Sequence, residues 1–293
     1  MSVLAKILSR LPRDLVEAAS NAQWRSPLFK RAFDMVADRF KNRDGNVARG
    51  VGKGLRLNVG RSHGGYLLGT TEPAVQSALA TVLKTGMTYY DIGANVGFHS
   101  MIAAKLVDPA RGNVICFEPV AENARCLIHN ARLNGFDHVQ VKQIALSDVD
   151  QEGRFWLSDE PTWGTLASVG EQPTRCIGSI MVPVRRLDDV IVQDGLPPPN
   201  VIKIDVEGAE VGVLRGGVNT IREHRPIMMI ELHGTNGPIQ ELLGAMNYTS
   251  VVLGSRATIV DSPWDAYVVA APAEEADLQP LLEKLRGEST GRR

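Results

Sequence analysis

Two groups of residues in this chain have types and spacings suited to chemistry. The first is Lys203-Ile-Asp205-Val-Glu207, with Glu210 shortly after it and Glu231-Leu-His233 further on. Side chains two apart in an extended strand share a face, so Lys203, Asp205 and Glu207 point one way, and Glu231 and His233 pair by the same parity. If these strands are neighbours, Asp205, Glu207, Glu231 and His233 converge at the carboxyl edge of a sheet. An imidazole among carboxylates is the set that takes a proton from a hydroxyl. Plainer roles stand beside this one. Lys203 and Asp205 can form a structural ion pair, Glu210 suits the first turn of a helix, and a lone His233 would serve as a hydrogen-bonded structural imidazole.

The second group is Asp91-Ile-Gly-Ala-Asn-Val-Gly97, with Glu118 closing the next apolar run in Phe117-Glu118-Pro119. Gly93 and Gly97 let backbone approach a ligand, and the helix start beyond them offers unpaired N–H groups. Asp91 can accept from an ammonium or hydroxyl group, and Glu118 stands where doubly wound nucleotide-binding sheets grip a ribose diol. A dinucleotide fingerprint needs GxGxxG, but Asn95 and Phe98 occupy the second and third glycine positions. A GxNxG turn after an acid suits S-adenosyl-L-methionine better, because that ligand presents an amino-acid end and no diphosphate. A plain strand-to-helix connection is the bland alternative.

These residues need a scaffold. From residue 75 onward apolar runs alternate with helical stretches, the pattern of a parallel sheet with crossover helices. Strands are expected at 87–92, 113–118, 139–145, 201–205 and 227–232, with a final pair near 248–253 and 266–270. Helices are expected from 98 to about 106, over 120–134 and within 209–224. Residues 158–182, rich in Pro and Gly, read as an insertion over the sheet edge or mouth. Composition fits: 44% hydrophobic and 22% charged residues give an ordinary globular core, and a net charge of −1 argues against a nucleic-acid partner. Residues 1–56 hold 12 Lys+Arg against 5 Asp+Glu, while the remainder holds 20 against 28. A basic helical arm (1–56) therefore precedes an acidic body (57–287) and a frayed tail (288–293). In the arm Val3, Leu4, Ile7, Leu8 and Leu11 repeat at helical spacing, which fits packing on the body or a second subunit, or peripheral contact with an anionic membrane. Three cysteines without a CxxC pair exclude a disulfide framework. No apolar run approaches the roughly 18 residues of a membrane span, and a cytoplasmic location is expected.

The stretches YYDIGANVGFHSMIAAKLV, ICFEP, ALSD, RRLDD, IKIDVEGAEVGVLRGG and RPIMMIELH, spread over roughly residues 66–233, together resemble the FkbM family of S-adenosylmethionine-dependent methyltransferases. The resemblance implies the class I methyltransferase fold: a Rossmann-like α/β sheet of seven strands, parallel except for one, flanked by helices. Carried over, it assigns Asp91, Gly93, Asn95 and Gly97 to the methionine part of the cofactor, Glu118 to the ribose, and Ser147 or Asp148 to the neighbourhood of the adenine. Gly64 to Pro73, with Tyr66 and Glu72, is similar to a stretch of that family that suggests a lid over the cofactor, the plain alternative being a connector capped by Pro73; Trp163 and Thr165 in the insertion either face the acceptor or anchor packing. The function implied is O-methyl transfer to a hydroxyl of a small molecule, sugar or glycolipid, with His233 as first candidate for the base and Asp205 or Glu207 orienting it or acting in its place. A divalent cation among these carboxylates is conceivable, but the resemblance does not demand one and no residue is assigned to a metal. An NAD-dependent oxidoreductase would need a third glycine at Phe98 and a hydride-transfer set such as Tyr-x-x-x-Lys; neither is found. A non-catalytic cofactor-binding module, acting through the arm, would tolerate His233→Ala.

Overall fold

The computed structural model describes residues 41–108, 110–159, 164–169, 172 and 175–287. The arm's expected helix, Trp163 and the tail lie outside the described residues. The chain opens with a hairpin of β1 (Asp44–Asn46) and β2 (Arg56–Asn58), then α1 (Gly65–Leu68) and α2 (Pro73–Val82). Val47, Leu55 and Leu57 enter the core, so the boundary drawn at residue 56 from charge falls inside a packed hairpin. Charge reports on surface, and these three residues are what anchor the segment.

The body follows the expected rhythm: β3 (Thr88–Ile92), α3 (Phe98–Val107), β4 (Asn113–Phe117), α4 (Ala121–Asn134), β5 (Val139–Lys142). After a second small sheet come α5 (Leu187–Asp194), β10 (Val201–Ile204), α6 (Glu210–Gly216), α7 (Val218–His224), β11 (Ile227–Glu231), α8 (Asn236–Ala245), β12 (Tyr248–Val252), β13 (Tyr267–Pro272) and α9 (Gln279–Gly287). The main sheet has seven strands in the order β12-β13-β11-β10-β3-β4-β5, with β13 antiparallel to both neighbours. Every residue of β3 and β10 is buried, as expected of central strands covered on both faces. Alternation sends Tyr89, Val201 and Met229 to one core and Tyr90, Ile202 and Met228 to the other. Two helical layers thus cover the sheet.

The small sheet departs from the sequence-based expectation. The run 139–145 does not continue as one strand: β5 ends at Lys142, and β6 (Ala145–Leu146) pairs instead with β9 (Cys176–Arg185). β9 also pairs antiparallel with β7 (Gln151–Ser158), which meets β8 (Thr165–Leu166). Residues 158–182 therefore contain much of a ten-residue strand. Gly178 and Pro183 disguise it in the sequence, yet Phe155, Leu166, Val182 and Val184 form a core of their own beneath it. Among the described residues no helix is long and apolar enough to cross a membrane.

Candidate active site

β3 and β10 lie side by side while the chain leaves them toward opposite halves of the sheet, so a crevice opens beyond their carboxyl ends. The two tips interlock. The Asp205 N–H donates to the Ile92 carbonyl (3.0 Å), and at Gly93 (φ +83°) a Cβ would stand 1.8 Å from the Asp205 carbonyl oxygen. At Gly97 (φ +84°) it would stand 2.6 Å from Leu127 Cγ. Both glycines are imposed first by the chain's own packing; a ligand then inherits the bare backbone at Gly93. The cavity beside this turn is lined by Gly93, Asn95 and Glu118, by Ile144–Leu146, by Phe155 and Leu166 of the small sheet, and by Asp205–Glu207.

Glu118 is 5% exposed. Its carboxylate accepts from the Asn95 N–H (2.8 Å), the Val120 N–H (2.9 Å) and Asn123 Nδ2 (3.3 Å). Burial outweighs those donors and lifts its pKa to about 7. Asn95 is left-handed (φ +50°), and its side-chain oxygen accepts from the Ser62 hydroxyl (2.7 Å) and the Val96 N–H (2.7 Å).

Four expected cofactor contacts, Asp91, Gly97, Ser147 and Asp148, do not line this cavity. Asp91 points into the sheet's other layer, where Ser100 Oγ donates to it (2.6 Å) and Lys203, its register partner on β10, comes within 3.8 Å. Ser147 continues the small sheet, its N–H donating to the Arg185 carbonyl (3.0 Å), and Asp148 is an exposed turn residue. The cavity wall at that end is the apolar Ile144–Leu146, because the chain crosses there from one sheet to the other.

The four residues expected to carry catalysis do come together. The parallel register sets Ile204 beside Ile230 and so brings Asp205 next to Glu231. Strand parity stops there: Glu207 (φ +50°) and His233 (φ +39°) have left-handed backbones, and turns after each strand aim them inward. His233 Nε2 lies 3.5 Å from Glu207 Oε2 and 3.9 Å from both Asp205 Oδ1 and Glu231 Oε1. Its Nδ1 is 2.9 Å from Oε1 of Glu210, which is fully buried and also accepts from the Gly208 N–H and the Thr235 hydroxyl. Burial disfavours the charged imidazole, but the Glu210 hydrogen bond and the Glu207 and Asp205 charges raise its pKa to about 10. Lys203, 2% exposed, places Nζ 2.8 Å from Asp205 Oδ2. Burial opposes its charge as well, and Asp205 and Asp91 override it. Asp205 in turn is held ionised against burial by Lys203 and then His233. Glu231 is pushed upward by burial and the Asp205 charge, and Glu207 rises to about 7, chiefly by burial.

Donor atoms of Asp205, Glu231 and His233 fall within 4.8 Å of one another, a span that a divalent cation could gather. The Lys203 ammonium already rests on Asp205, however, and with the His233 imidazolium it supplies the positive charge that such an ion would bring.

Several members of the site lie outside the two motif groups. Tyr267 faces Glu231 across the β11–β13 register, and its hydroxyl lies 3.2 Å from Asp205 Oδ2 and 3.3 Å from Glu72 Oε2. Glu72, at the end of the expected lid segment, is the N-cap of α2 in a left-handed conformation (φ +45°) and reaches His99 Nε2 at 3.5 Å. Tyr66 of the same segment stacks on Phe98 with centroids 4.8 Å apart. Thr165 of β8 donates to the Glu207 carbonyl (2.7 Å), fastening the small sheet to the site. Trp264 lies near His233, the ring centroids 6.0 Å apart. Periodicity on β13 hinted at Tyr267, and the expected lid and insertion already held Tyr66, Glu72 and Thr165; Trp264 and the contacts that join them all needed the fold.

Strand order, the single antiparallel strand and the crevice beyond β3 and β10 define a class I methyltransferase fold. The chain belongs to the methyltransferase FkbM domain family, which it matches over residues 91–254 of 293. It is 28% identical over 149 residues to the hexuronic acid methyltransferase AglP of Haloferax volcanii, covering 51% of this chain and 57% of that one. It is 28% identical over 197 residues to the 2-O-methyltransferase NoeI of Sinorhizobium fredii, covering 61% and 79%. The crystal structure of methyltransferase FkbM from Methylobacillus flagellatus KT aligns with a TM-score of 0.45 at 19% identity, covering 64% of this chain and 44% of that one. The chain thus spans little more than half of AglP and less than half of that crystallised protein.

Proposed function

We propose that this protein transfers a methyl group from S-adenosyl-L-methionine to a hydroxyl of a sugar-type acceptor. One observation carries the reading: a single cavity has the Gly93–Asn95–Glu118 turn on one side and Glu207, the acidic neighbour of His233, on another. The donor set fits the cofactor. Glu118 offers a carboxylate for ribose hydroxyls, Gly93 and Asn95 bare backbone for the amino-acid end, and Ile144–Leu146 an apolar wall for the base. Bound there, S-adenosyl-L-methionine supplies an electrophilic methyl group. The names of AglP and NoeI, a hexuronic acid methyltransferase and a 2-O-methyltransferase, support an oxygen nucleophile and a sugar-type acceptor.

A neutral hydroxyl attacks poorly, and a base must take its proton as the new bond forms. His233 is the weaker candidate, since its acidic neighbours keep it protonated at neutral pH. Glu207 lines the cavity and titrates near 7, so its carboxylate, held ionised in part by the His233 imidazolium, takes the proton and becomes the carboxylic acid. Asp205, paired with Lys203, orients. Fixing the hydroxyl in line for displacement supplies much of the remaining rate.

Calorimetry tests the cofactor half. Binding of S-adenosyl-L-methionine is expected, lost in Glu118→Ala, with no binding of NAD; tight NAD binding alone would overturn the reading. Turnover with radiolabelled cofactor and a panel of methyl glycosides tests the acceptor half.

A further inference from the structure

Trp264 is 62% exposed, although a Trp usually buries most of its ring. Its backbone is nevertheless held from the His233 side: the Gly234 N–H donates to the Trp264 carbonyl (2.9 Å), and the Leu232 N–H to the Ala266 carbonyl (3.1 Å). Asn236 Nδ2 donates to the carbonyls of Ile259 (2.9 Å) and Ser262 (3.1 Å). The segment before the indole is thereby tied to the segment that carries His233. The indole itself meets His233 at an interplanar angle of 57° and leaves most of its surface to solvent. A large aromatic face on a fixed loop, next to a cluster of hydrogen-bond acceptors, is the combination that a ligand with one apolar face and a polar perimeter requires.

A pyranose ring has that shape, with C–H groups on one face and hydroxyls around its edge. We propose that Trp264 is the platform for the acceptor's sugar ring, a specificity-determining residue whose indole carries the C–H face while Glu207 and Glu231 accept from the hydroxyls at the edge. The inference rests on the sugar-acceptor reading above and narrows it to acceptors with an exposed pyranose face. A platform held by its backbone loses little entropy when a ligand settles on it, so the indole contributes to acceptor affinity and leaves cofactor affinity alone.

Saturation-transfer NMR provides the test, with methyl β-D-glucuronide, methyl α-L-fucoside and methyl β-D-glucoside as probes in the presence of S-adenosylhomocysteine. The parent protein is expected to saturate the ring C–H protons of at least one probe. Trp264→Ala should weaken that probe's Kd about tenfold and Trp264→Phe less, a tenfold change being about 1.4 kcal/mol. S-adenosyl-L-methionine affinity by calorimetry and the melting temperature should not move. Saturation of no probe by the parent protein, or equal Kd in the parent and Trp264→Ala, overturns the platform. Failure of S-adenosyl-L-methionine to bind would instead sink methyl transfer, with the probe contrast between parent and Trp264→Ala still deciding the platform's fate.

Discussion

Glu207 holds its carboxyl near pH 7 because burial raises its pKa from the ordinary carboxylate range despite the nearby imidazolium. As pH rises through about 7 it loses its proton and becomes competent as a base, so kcat should climb with pH and level off above 8. Glu207→Gln is expected to lower kcat by about 10²–10⁴-fold and to erase that limb; a variant retaining the parent's pH profile would put the base elsewhere. Glu210 acts through His233 as a positioning residue. Removing it strands a buried imidazolium, and Glu210→Ala should cost about 3 kcal/mol in urea unfolding at pH 6. The sign of its pH dependence follows from the raised His233 pKa. That stabilisation is complete below the unfolded value of 6.5 and is lost as pH rises through about 10, so parent and variant should converge in strongly alkaline buffer.

At the scale of elements, the site depends on two junctions. One is the contact between β3 and β10, where the Asp205 carbonyl occupies the space any side chain at 93 would need. Gly93→Ala combines that overlap with a left-handed backbone. It should lose on the order of 3 kcal/mol or more, read as a lower thermal midpoint. The other is the hydroxyl of Thr165 on the Glu207 carbonyl. Thr165→Val keeps the shape and removes the donor, costing about 1 kcal/mol of stability. It should lower kcat without changing cofactor affinity, because the small sheet then no longer fixes Glu207. Equal losses in kcat and cofactor affinity would mean that β8 supports the whole cavity.

Across the whole molecule, most of the negative charge at the carboxyl edge of the sheet is met from within the chain. Glu72, Asp205, Glu207, Glu210 and Glu231 are met by Lys203, His233 and the protons that burial retains on Glu231 and, in part, on Glu207. Dialysis against a chelator should therefore leave turnover and the melting curve unchanged. Activity recovered only on adding a divalent cation would show that an ion takes the place assigned to those cations and protons.

The sequence by itself determined the sheet and its ingredients. Mostly apolar runs such as Val201–Ile204 and Ile227–Ile230 suit strands covered on both faces, the usual state of a largely parallel sheet, and the turn after β3 with Glu118 after β4 marked the crevice. The tertiary structure decided the rest, because it depends on contacts between residues far apart in the chain. It turned Asp91 inward toward Lys203, carried Ser147 and Asp148 off to a second sheet, and drew a strand through a Gly- and Pro-rich stretch. It also brought Glu72, Tyr267 and Trp264, some two hundred residues apart at the extremes, to one edge. Proton positions followed the same rule: spacing made His233 the first candidate for the base, but the Glu210 hydrogen bond and the Glu207 and Asp205 charges keep it protonated against burial, and the proposed role passes to Glu207.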